Sequence, residues 1–555
     1  MISDKRTVQD FFSLLEAKGV HHVVICPGSR NAPFSISLYR HPIVQSYNIP
    51  DERSAAFFAM GMAQQFQKPV AIICTSGTAA LNFAPAIAEA FYQRVPLLIV
   101  TADRPVEWID QGEGQSIRQR DVYSNYIKSS LEVMEESANT DSAWYNVRIM
   151  DEAIGLCTSG VAGPVHINFP LREPLYGRAA HINEVKVVER LSTPSALKPE
   201  MVVELKNKLS AANRILILAG QSMPDDKLHA ALLQWAHLPQ VAVMTEAHSN
   251  LADEQFITTI DRLILRMNED EIAGVLPEIL ITYGHNIISR KIKEYLRKSQ
   301  CEHWHVDISG EGLDTLKHLN KIIAIEPQEF FERALPSSNS ESSYGVDLLN
   351  RNTLRREKAV NFMQRAQWSD LKAFDVIYRN LPMGQDLQMG NSSVVRYILL
   401  FDARRDVRHF GNRGVAGIDG CTSTAVGAAW STQRPTTLIS GDIGFFYDSN
   451  AFWHNYVSKK LKIIVINNAG GGIFRIIEGP KSTPSIDAFF ETTHDRKADK
   501  LAAMYGLSYK ITANEEELKA GLVWLYAQDA CSVLEVTTPR LENDVVLKQY
   551  FDSLV

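Results

Sequence analysis

Two short apolar runs that end in hard oxygen donors carry the clearest chemistry in this chain. Thr436 to Ser440 (TTLIS) suits a buried parallel strand, and it runs into Gly441 and Asp442. Glycine lets a chain turn sharply beside an anion, and Asp442 is left at the strand's carboxyl end with Ile443 and Gly444 following. About 25 residues on, Lys462 to Ile466 (KIIVI) ends in Asn467 and Asn468, ahead of the glycine run Gly470 to Gly472. Neighbouring parallel strands would bring the Asp442 carboxylate and an asparagine amide oxygen together. Such ligands suit Mg2+ or Ca2+, and Mg2+ takes few protein ligands and completes its shell from phosphates and water. We assign the third protein ligand to the Gly470 carbonyl, so the spacing predicts a metal-diphosphate site of Asp442, one of the two asparagines and that carbonyl.

That interval, with an apolar strand before each half, resembles the cofactor signature of thiamine diphosphate enzymes. Their chemistry needs one further group, a carboxyl beside N1′ of the aminopyrimidine. Glu52 in YNIPDERSAAFFAMG is the candidate, because it follows a short strand-like run and opens a helical pattern. Taken alone it is an N-terminal helix acid stabilised by the helix dipole; the downstream site gives it the other role.

Arginines recur where strands are expected to end or helices to start. Ser29 and Arg30 lie in ICPGSRNAPF, Arg104 and Gln115 in TADRPVEWIDQGEGQSIRQ, Asn391, Ser392 and Arg396 in GNSSVVRY, and Arg413 in FGNRGVAGIDG. Backbone N–H groups, hydroxyls and guanidinium groups gathered in this way bind carboxylates. Four arginines exceed what a cofactor needs and point to substrates with several carboxylates.

The elements that must position these residues read as repeated β-α units. From residue 1 to about 180, apolar runs (HHVVICPG, PVAIICTSG, VPLLIVTAD, GPVHINFP) alternate with helical patterns, which predicts a doubly wound parallel sheet. Periodicity is lost from Arg178 to Pro199. A second α/β unit spans about 195–335 with ILILAG, VAVMTEA, EILITYG and HWHVDISG as strands, and a third spans about 345–555 with DVRHFG, TTLIS, KIIVI and SVLEVTT. The expected fold is α/β, with three doubly wound parallel-sheet domains.

Bulk properties agree with an enzyme of small molecules. At 555 residues the chain exceeds one core. Its 57 Lys+Arg against 64 Asp+Glu give a net charge of −7, which leaves no electrostatic footprint for nucleic acid or an anionic membrane. The six cysteines are scattered without a CxxC pair and read as reduced core thiols of a cytoplasmic protein. The N-terminus has no apolar leader and no run of about 18 apolar residues occurs, so no membrane insertion is expected.

With CPGSRN, DERSAAFFAMG, TSGTAALNFAPAIAEAFYQRVPLLIVTADRP, DQGEGQSIRQ, GPVHINFPLREPL, GNSSVVR, GNRGVAGIDGCTSTAVG and GDIGFFYD…NNAGGGIF, the chain resembles the 2-succinyl-5-enolpyruvyl-6-hydroxy-3-cyclohexene-1-carboxylate synthase family of menaquinone biosynthesis. The resemblance is close in the first and third domains and loose in the middle one. It implies decarboxylation of 2-oxoglutarate and 1,4-addition of the resulting succinyl carbanion equivalent to isochorismate, in a homo-oligomer, dimer or tetramer, with active sites at the subunit interface. It also implies Glu52 as the partner of N1′, Asp442, Asn468 and the Gly470 carbonyl as ligands of Mg2+ (or Mn2+), Thr78 and Asn82 at the pyrimidine end, and Ile418, beside Gly417, as the apolar prop of the bent cofactor. Asn391, Ile443, Gly444 and Ile473 would line the cofactor as well. Ser29, Arg30, Arg104, Gln115, Ser392, Arg396 and Arg413 would hold substrate, with Phe474 completing an apolar wall with Ile473. The family's basic pair in the middle domain is here in reversed order, Arg290 then Lys291, and Asn31 stands where the family often has serine. His494, in a loop after the cofactor motif, reads as a surface or capping histidine. Two other readings are a different 2-oxoacid carboligase, whose monocarboxylate substrate would leave the arginines without purpose, and a silent ligand sensor of the same fold, which would have no need of Glu52.

Overall fold

A computed structural model of the protein describes residues 2–135, 139–180, 184–191, 196–477 and 479–555. Its strands form three parallel sheets, with one two-residue antiparallel ribbon pairing Ile2–Ser3 with Arg178–Ala179. The first sheet contains β1 (His22–Ile25), β2 (Gln45–Asn48), β3 (Val70–Cys74), β4 (Leu97–Asp103), β5 (Ser130–Glu132) and β6 (Val165–Pro170), in the order β2-β1-β3-β4-β6-β5. The central sheet contains β7 (Ile215–Ala219), β8 (Val241–Met244), β9 (Ile279–Tyr283), β10 (Glu302–Val306) and β11 (Leu319–Ile323), in the order β8-β7-β9-β10-β11. The third contains β12 (Asp386–Met389), β13 (Arg408–Phe410), β14 (Thr436–Gly441), β15 (Leu461–Asn467), β16 (Ser508–Thr512) and β17 (Ser532–Thr537), in the order β13-β12-β14-β15-β17-β16.

The interior strands VAIIC, LLIVTAD, ILILA and LKIIVIN are buried along their whole length, as parallel strands covered on both faces must be. In all three sheets the strand order reverses between the first strand and the third. Ligands of open parallel sheets bind in the crevice outside the carboxyl ends at that reversal. In the first sheet it lies between β1 and β3, whose continuations carry Ser29-Arg30 and Thr78. In the third it lies between β12 and β14, which lead into Asn391-Ser392 and Asp442.

The chain forms two compact units. One comprises Met1–Ser192, Asn412–Pro435 and Gly444–Leu461; the other comprises Thr193–Gly411, Thr436–Ile443 and Lys462–Val555. Within the second, the helix Tyr344–Arg365 seats on the central sheet. The Tyr344 hydroxyl donates to the Val275 carbonyl at 2.7 Å, and a Cβ on Gly345 would lie 2.0 Å from the Val241 carbonyl oxygen. The boundary expected near residue 345 therefore falls at the start of a helix that packs on the sheet before it. All six cysteines are buried and none is in a disulfide. Among the described residues no helix is long and apolar enough to cross a membrane.

Candidate active site

The third sheet brings the expected oxygen donors together. Parallel β14 and β15 are neighbours, and they end at Asp442 and Asn468, which are only 2 % and 6 % exposed. Asp442 Oδ1 accepts the Ile443 N–H at 2.7 Å and Oδ2 accepts the Gly470 N–H at 3.0 Å. Asn468 is oriented by Asp370, whose Oδ2 accepts from its Nδ2 at 2.9 Å. That bond turns the amide oxygen away from Asp370, and Asn468 Oδ1 is buried with no hydrogen-bond partner among the described residues. Burying an acceptor unsatisfied costs about 1–3 kcal/mol, so this atom is suited to a hard cation that would satisfy it. Burial raises the Asp370 carboxyl to about 6 against its bonds from Thr538 and Asn468. The glycines leave room. A Cβ on Gly441 would meet nothing within 4 Å, whereas one on Gly470 would come 2.7 Å from the Glu491 carbonyl oxygen. Ala469 holds a left-handed φ of 61°, which bends the chain between Asn468 and Gly470.

One contact adds to what the sequence leads one to expect, and a second differs from it. Gly470 meets Asp442 through its N–H, and its carbonyl accepts from Gly472 N–H at 3.0 Å. His494 is no surface histidine: its side chain is 9 % exposed and its Nε2 lies 3.2 Å from Asp442 Oδ2. The capping role holds for the other ring nitrogen, since Nδ1 accepts the Arg496 N–H at 3.1 Å. The contact with Asp442 raises the His494 pKa against the effect of burial.

In the same unit, Arg290, Lys291, Arg396 and Ile473 line one cleft of about 180 Å3, with Asp261 and Ser393 beside them. The third-sheet cation and the middle-domain pair thus share a cavity with the loop that follows Gly470. Ser392 instead supplies backbone: its carbonyl accepts from Arg396 Nη1, and its φ of 70° is strained for serine. Asn391 is buried beside it. Phe474 turns toward Phe490, with ring centroids 5.6 Å apart, and does not line this cleft.

The first unit collects the other candidates. A Cβ on Gly28 would lie 2.3 Å from Thr75 Cβ, so the PGSR and TSGT turns abut at the β1/β3 reversal. Buried Arg30 donates to the Leu171 carbonyl at 3.0 Å and faces Glu173 at 3.4 Å. Burial lowers its pKa first, and repulsion from Arg104 lowers it further, so the two guanidinium groups are close enough to interact. Arg104 donates to the Gly114 carbonyl and thereby holds the loop that carries Gln115. That loop closes on Gly77, whose Cβ would lie 3.2 Å from Gln115 Cα, just before the helix Thr78–Asn82. Asn82 Nδ2 bonds the Thr78 carbonyl at 3.1 Å, and Ser29 is exposed at the turn.

Glu52 opens the helix Glu52–Phe66 after Asp51, whose carboxylate caps the Arg53 and Ser54 N–H groups. Glu52 is partly buried, and burial raises its pKa, with a smaller contribution from Asp51. Its charge also raises the pKa of the Cys26 and Cys74 thiols, which places it against the ends of β1 and β3. The loop Arg413 to Ile418 belongs to this unit and is gripped by Glu89, a residue that sequence reasoning missed. The Glu89 carboxylate accepts the N–H groups of Gly414 (2.6 Å), Val415 (2.7 Å) and Ala416 (3.3 Å). Its only sequence signal was an acid among alanines in AIAEAFY. The helix that follows, Cys421–Ser431, lies flush on Glu52–Phe66 through three glycines. A Cβ on Gly420 would enter the Phe57 ring, and Cβ atoms on Gly61 and Gly427 would come 2.2 Å and 2.1 Å from the Thr424 and Phe58 carbonyl oxygens. Gly417 and Ile418 are thereby fixed relative to Glu52.

Three doubly wound domains, with a carboxyl at one crevice and oxygen donors at the other, define a thiamine diphosphate enzyme. Residues 5–122 match the N-terminal TPP binding domain of thiamine pyrophosphate enzymes, 196–388 their middle domain and 389–536 their C-terminal TPP binding domain. Curated relatives include 2-succinyl-5-enolpyruvyl-6-hydroxy-3-cyclohexene-1-carboxylate synthases from Flavobacterium psychrophilum (42 % identical, 98 % of each chain), Flavobacterium johnsoniae (40 %, 98 % of each) and Porphyromonas gingivalis (40 %, 99 % of this chain and 97 % of the relative). The chain belongs to that synthase family. A solved structure of benzoylformate decarboxylase from Polynucleobacter necessarius superposes with a TM-score of 0.72 over 97 % of this chain and 99 % of the other, at 17 % identity, and shares the fold.

Proposed function

We propose that this protein decarboxylates 2-oxoglutarate and joins the succinyl fragment to isochorismate, releasing CO2 and 2-succinyl-5-enolpyruvyl-6-hydroxy-3-cyclohexene-1-carboxylate. The observation that carries this reading is the cleft lined together by Arg290, Lys291, Arg396 and Ile473. A monocarboxylate such as pyruvate needs one clamp, and two dicarboxylates need this many cations.

Thiamine diphosphate, when bound, supplies an acidic ring carbon that becomes the nucleophile and an electron sink for decarboxylation. The side chains do the rest. Glu52, with its pKa raised by burial, would hold and exchange a proton with N1′ of the cofactor. Asp442 and Asn468, with a backbone carbonyl that we assign to Gly470, would hold Mg2+ or Mn2+ against the diphosphate, beside Ile443 and Gly444. Thr78, Asn82 and Asn391 would flank the cofactor and Ile418, beside Gly417, would prop it. Arg30, Arg104 and Arg413, with Ser29, Gln115 and Ser392, would complete the substrate clamps. Fixed cations hold two anions face to face and make carbon–carbon bond formation nearly intramolecular.

In this reading residues 1–180 bind the pyrimidine and 345–555 the diphosphate, with 195–335 between them. A homo-oligomer is part of the proposal. Leu81, in the helix Thr78–Asn82, and Tyr92, at the end of the helix Ala84–Tyr92, are 46 % and 50 % exposed, and a second copy would cover them. Six buried cysteines outside any disulfide suit the reducing cytoplasm. The test mixes the protein with thiamine diphosphate, Mg2+, 2-oxoglutarate and isochorismate and follows isochorismate absorbance. Consumption that requires 2-oxoglutarate, with pyruvate inert, supports the reading; CO2 release from another 2-oxoacid alone would replace the substrates.

A further inference from the structure

We propose that Glu246, buried below the substrate cleft, is a positioning residue that sets the cations Arg290 and Lys291. It follows β8 and is 1 % exposed. Its two carboxylate oxygens accept successive backbone donors, Oε2 from Ile288 N–H and Oε1 from Ser289 N–H, each at 2.7 Å. Ser289 is the cap of the helix Arg290–Leu296. Its hydroxyl accepts the Ile292 N–H at 3.3 Å and donates to Asp261, which itself lines the cleft. The first two residues of that helix are Arg290 and Lys291. The turn is held from other sides as well: Lys293 Nζ donates to the Ile287 carbonyl at 2.8 Å, and His248 Nε2 lies 2.9 Å from the Asn286 carbonyl oxygen.

An ionised carboxylate receiving two adjacent N–H groups is a charge-assisted pair of bonds in a dry site, and it fixes a turn more firmly than neutral partners do. A glutamine in its place keeps one acceptor and sets an NH2 group against a backbone N–H. The helix start would then shift, and with it both cations, while Asp442 and Asn468 keep their own partners. Among the described residues, the titratable groups facing Glu246 are Asp261, Lys293 and His248. Burial pushes the Glu246 carboxyl up to about 7, Asp261 adds to this, and the two N–H bonds and Lys293 oppose it. Its neutral form therefore gains ground as pH falls through neutrality, and that form accepts more weakly.

This inference rests on the cleft holding dicarboxylates, so its test includes a measurement free of turnover. In the holoenzyme reconstituted with thiamine diphosphate and Mg2+, Glu246→Gln should raise the KM of one dicarboxylate about tenfold, equivalent to about 1.4 kcal/mol, with kcat nearly unchanged. The wild-type KM should rise as pH falls below about 7 while the variant's stays high and flat. In a protein already carrying Arg290→Ala and Lys291→Ala, adding Glu246→Gln should change nothing further, as coupled residues behave in a double-mutant cycle. Calorimetry with 2-oxoglutarate as probe should show the same loss of affinity. Unchanged KM and affinity in the variant, or an equal loss in the background lacking both cations, overturns the proposal. If wild-type protein consumes no isochorismate yet binds the probe in a Glu246-dependent way, the substrate reading falls and the positioning role stands. If neither protein binds the probe, both fall. Should Glu246→Gln fail to fold, Ser289→Ala, which removes the cap and the bond to Asp261, carries the same expectations.

Discussion

His494 and Asp442 meet at the expected cofactor site, and they show what a residue gains from its neighbours. Asp442 sits between two backbone N–H groups and an imidazole, so its carboxylate is fixed before any cation arrives. Replacing it with alanine removes that anchor, and Asp442→Ala should abolish Mg2+-dependent binding of thiamine diphosphate, read by fluorescence titration with and without the metal. Glu52 is tested in the opposite way. Glu52→Gln should leave cofactor affinity close to wild type and lower turnover by about 10²–10⁴-fold, the usual contribution of a positioned acid or base. Unaltered turnover would remove Glu52 from the chemistry. Asp442 and Asn468 could be read from the sequence because each closes an apolar strand. His494 could not, because it arrives on a loop whose course no local pattern specifies. Phe474 was placed by its neighbour Ile473, yet the short helix Ile473–Ile476 points the two side chains different ways.

At the scale of elements, the helices Glu52–Phe66 and Cys421–Ser431 are the device that fixes the acid relative to the Ile418 loop. Gly61 and Gly427 let each backbone approach the other's carbonyl groups, closer than any Cβ allows. Gly61→Ala should destabilise the protein by about 1–3 kcal/mol, the cost of overpacking a rigid contact, measured by urea unfolding. A neutral result would show that the helices can separate. The strands written as continuous apolar runs were all legible in the sequence. Those left unmarked are Ser130–Glu132, Leu319–Ile323 and Ser508–Thr512, which lie at sheet edges and are mostly only partly buried, and Asp386–Met389. The last is interior, but its polar Asp386 is buried against Arg408, a partner that pattern alone does not reveal.

For the molecule as a whole, buried titratable groups of opposite kind set the response to acid. Burial lowers His166 and His409 to about 3 and His303 and His454 to about 4. The unfolded chain therefore binds protons that the native one refuses once pH falls below about 6.5, and this costs stability. Asp103 and Asp448, raised to about 6, and Glu246, raised to about 7, do the reverse: the native state takes up their protons first, which adds stability until the unfolded carboxyls also titrate. The carboxyls offset part of the histidine cost down to about pH 4; below that the His166 and His409 cost still grows, and carboxyls held low by basic partners, such as Asp406 beside Arg404, add to it. The melting temperature should thus change little between about pH 7 and 5 and fall steeply below about 4. A steady decline from neutrality would show that the carboxyls are not protonated as described.

The first and third sheets share one strand order, with the reversal at the same place in each. The same scaffold therefore presents the same crevice twice, and the two crevices hold different groups, Glu52 in the first and Asp442 with Asn468 in the third. Under the proposed reading each supplies what the other lacks, so a lesion in one has no spare in its twin and the two halves stand or fall together as a catalyst.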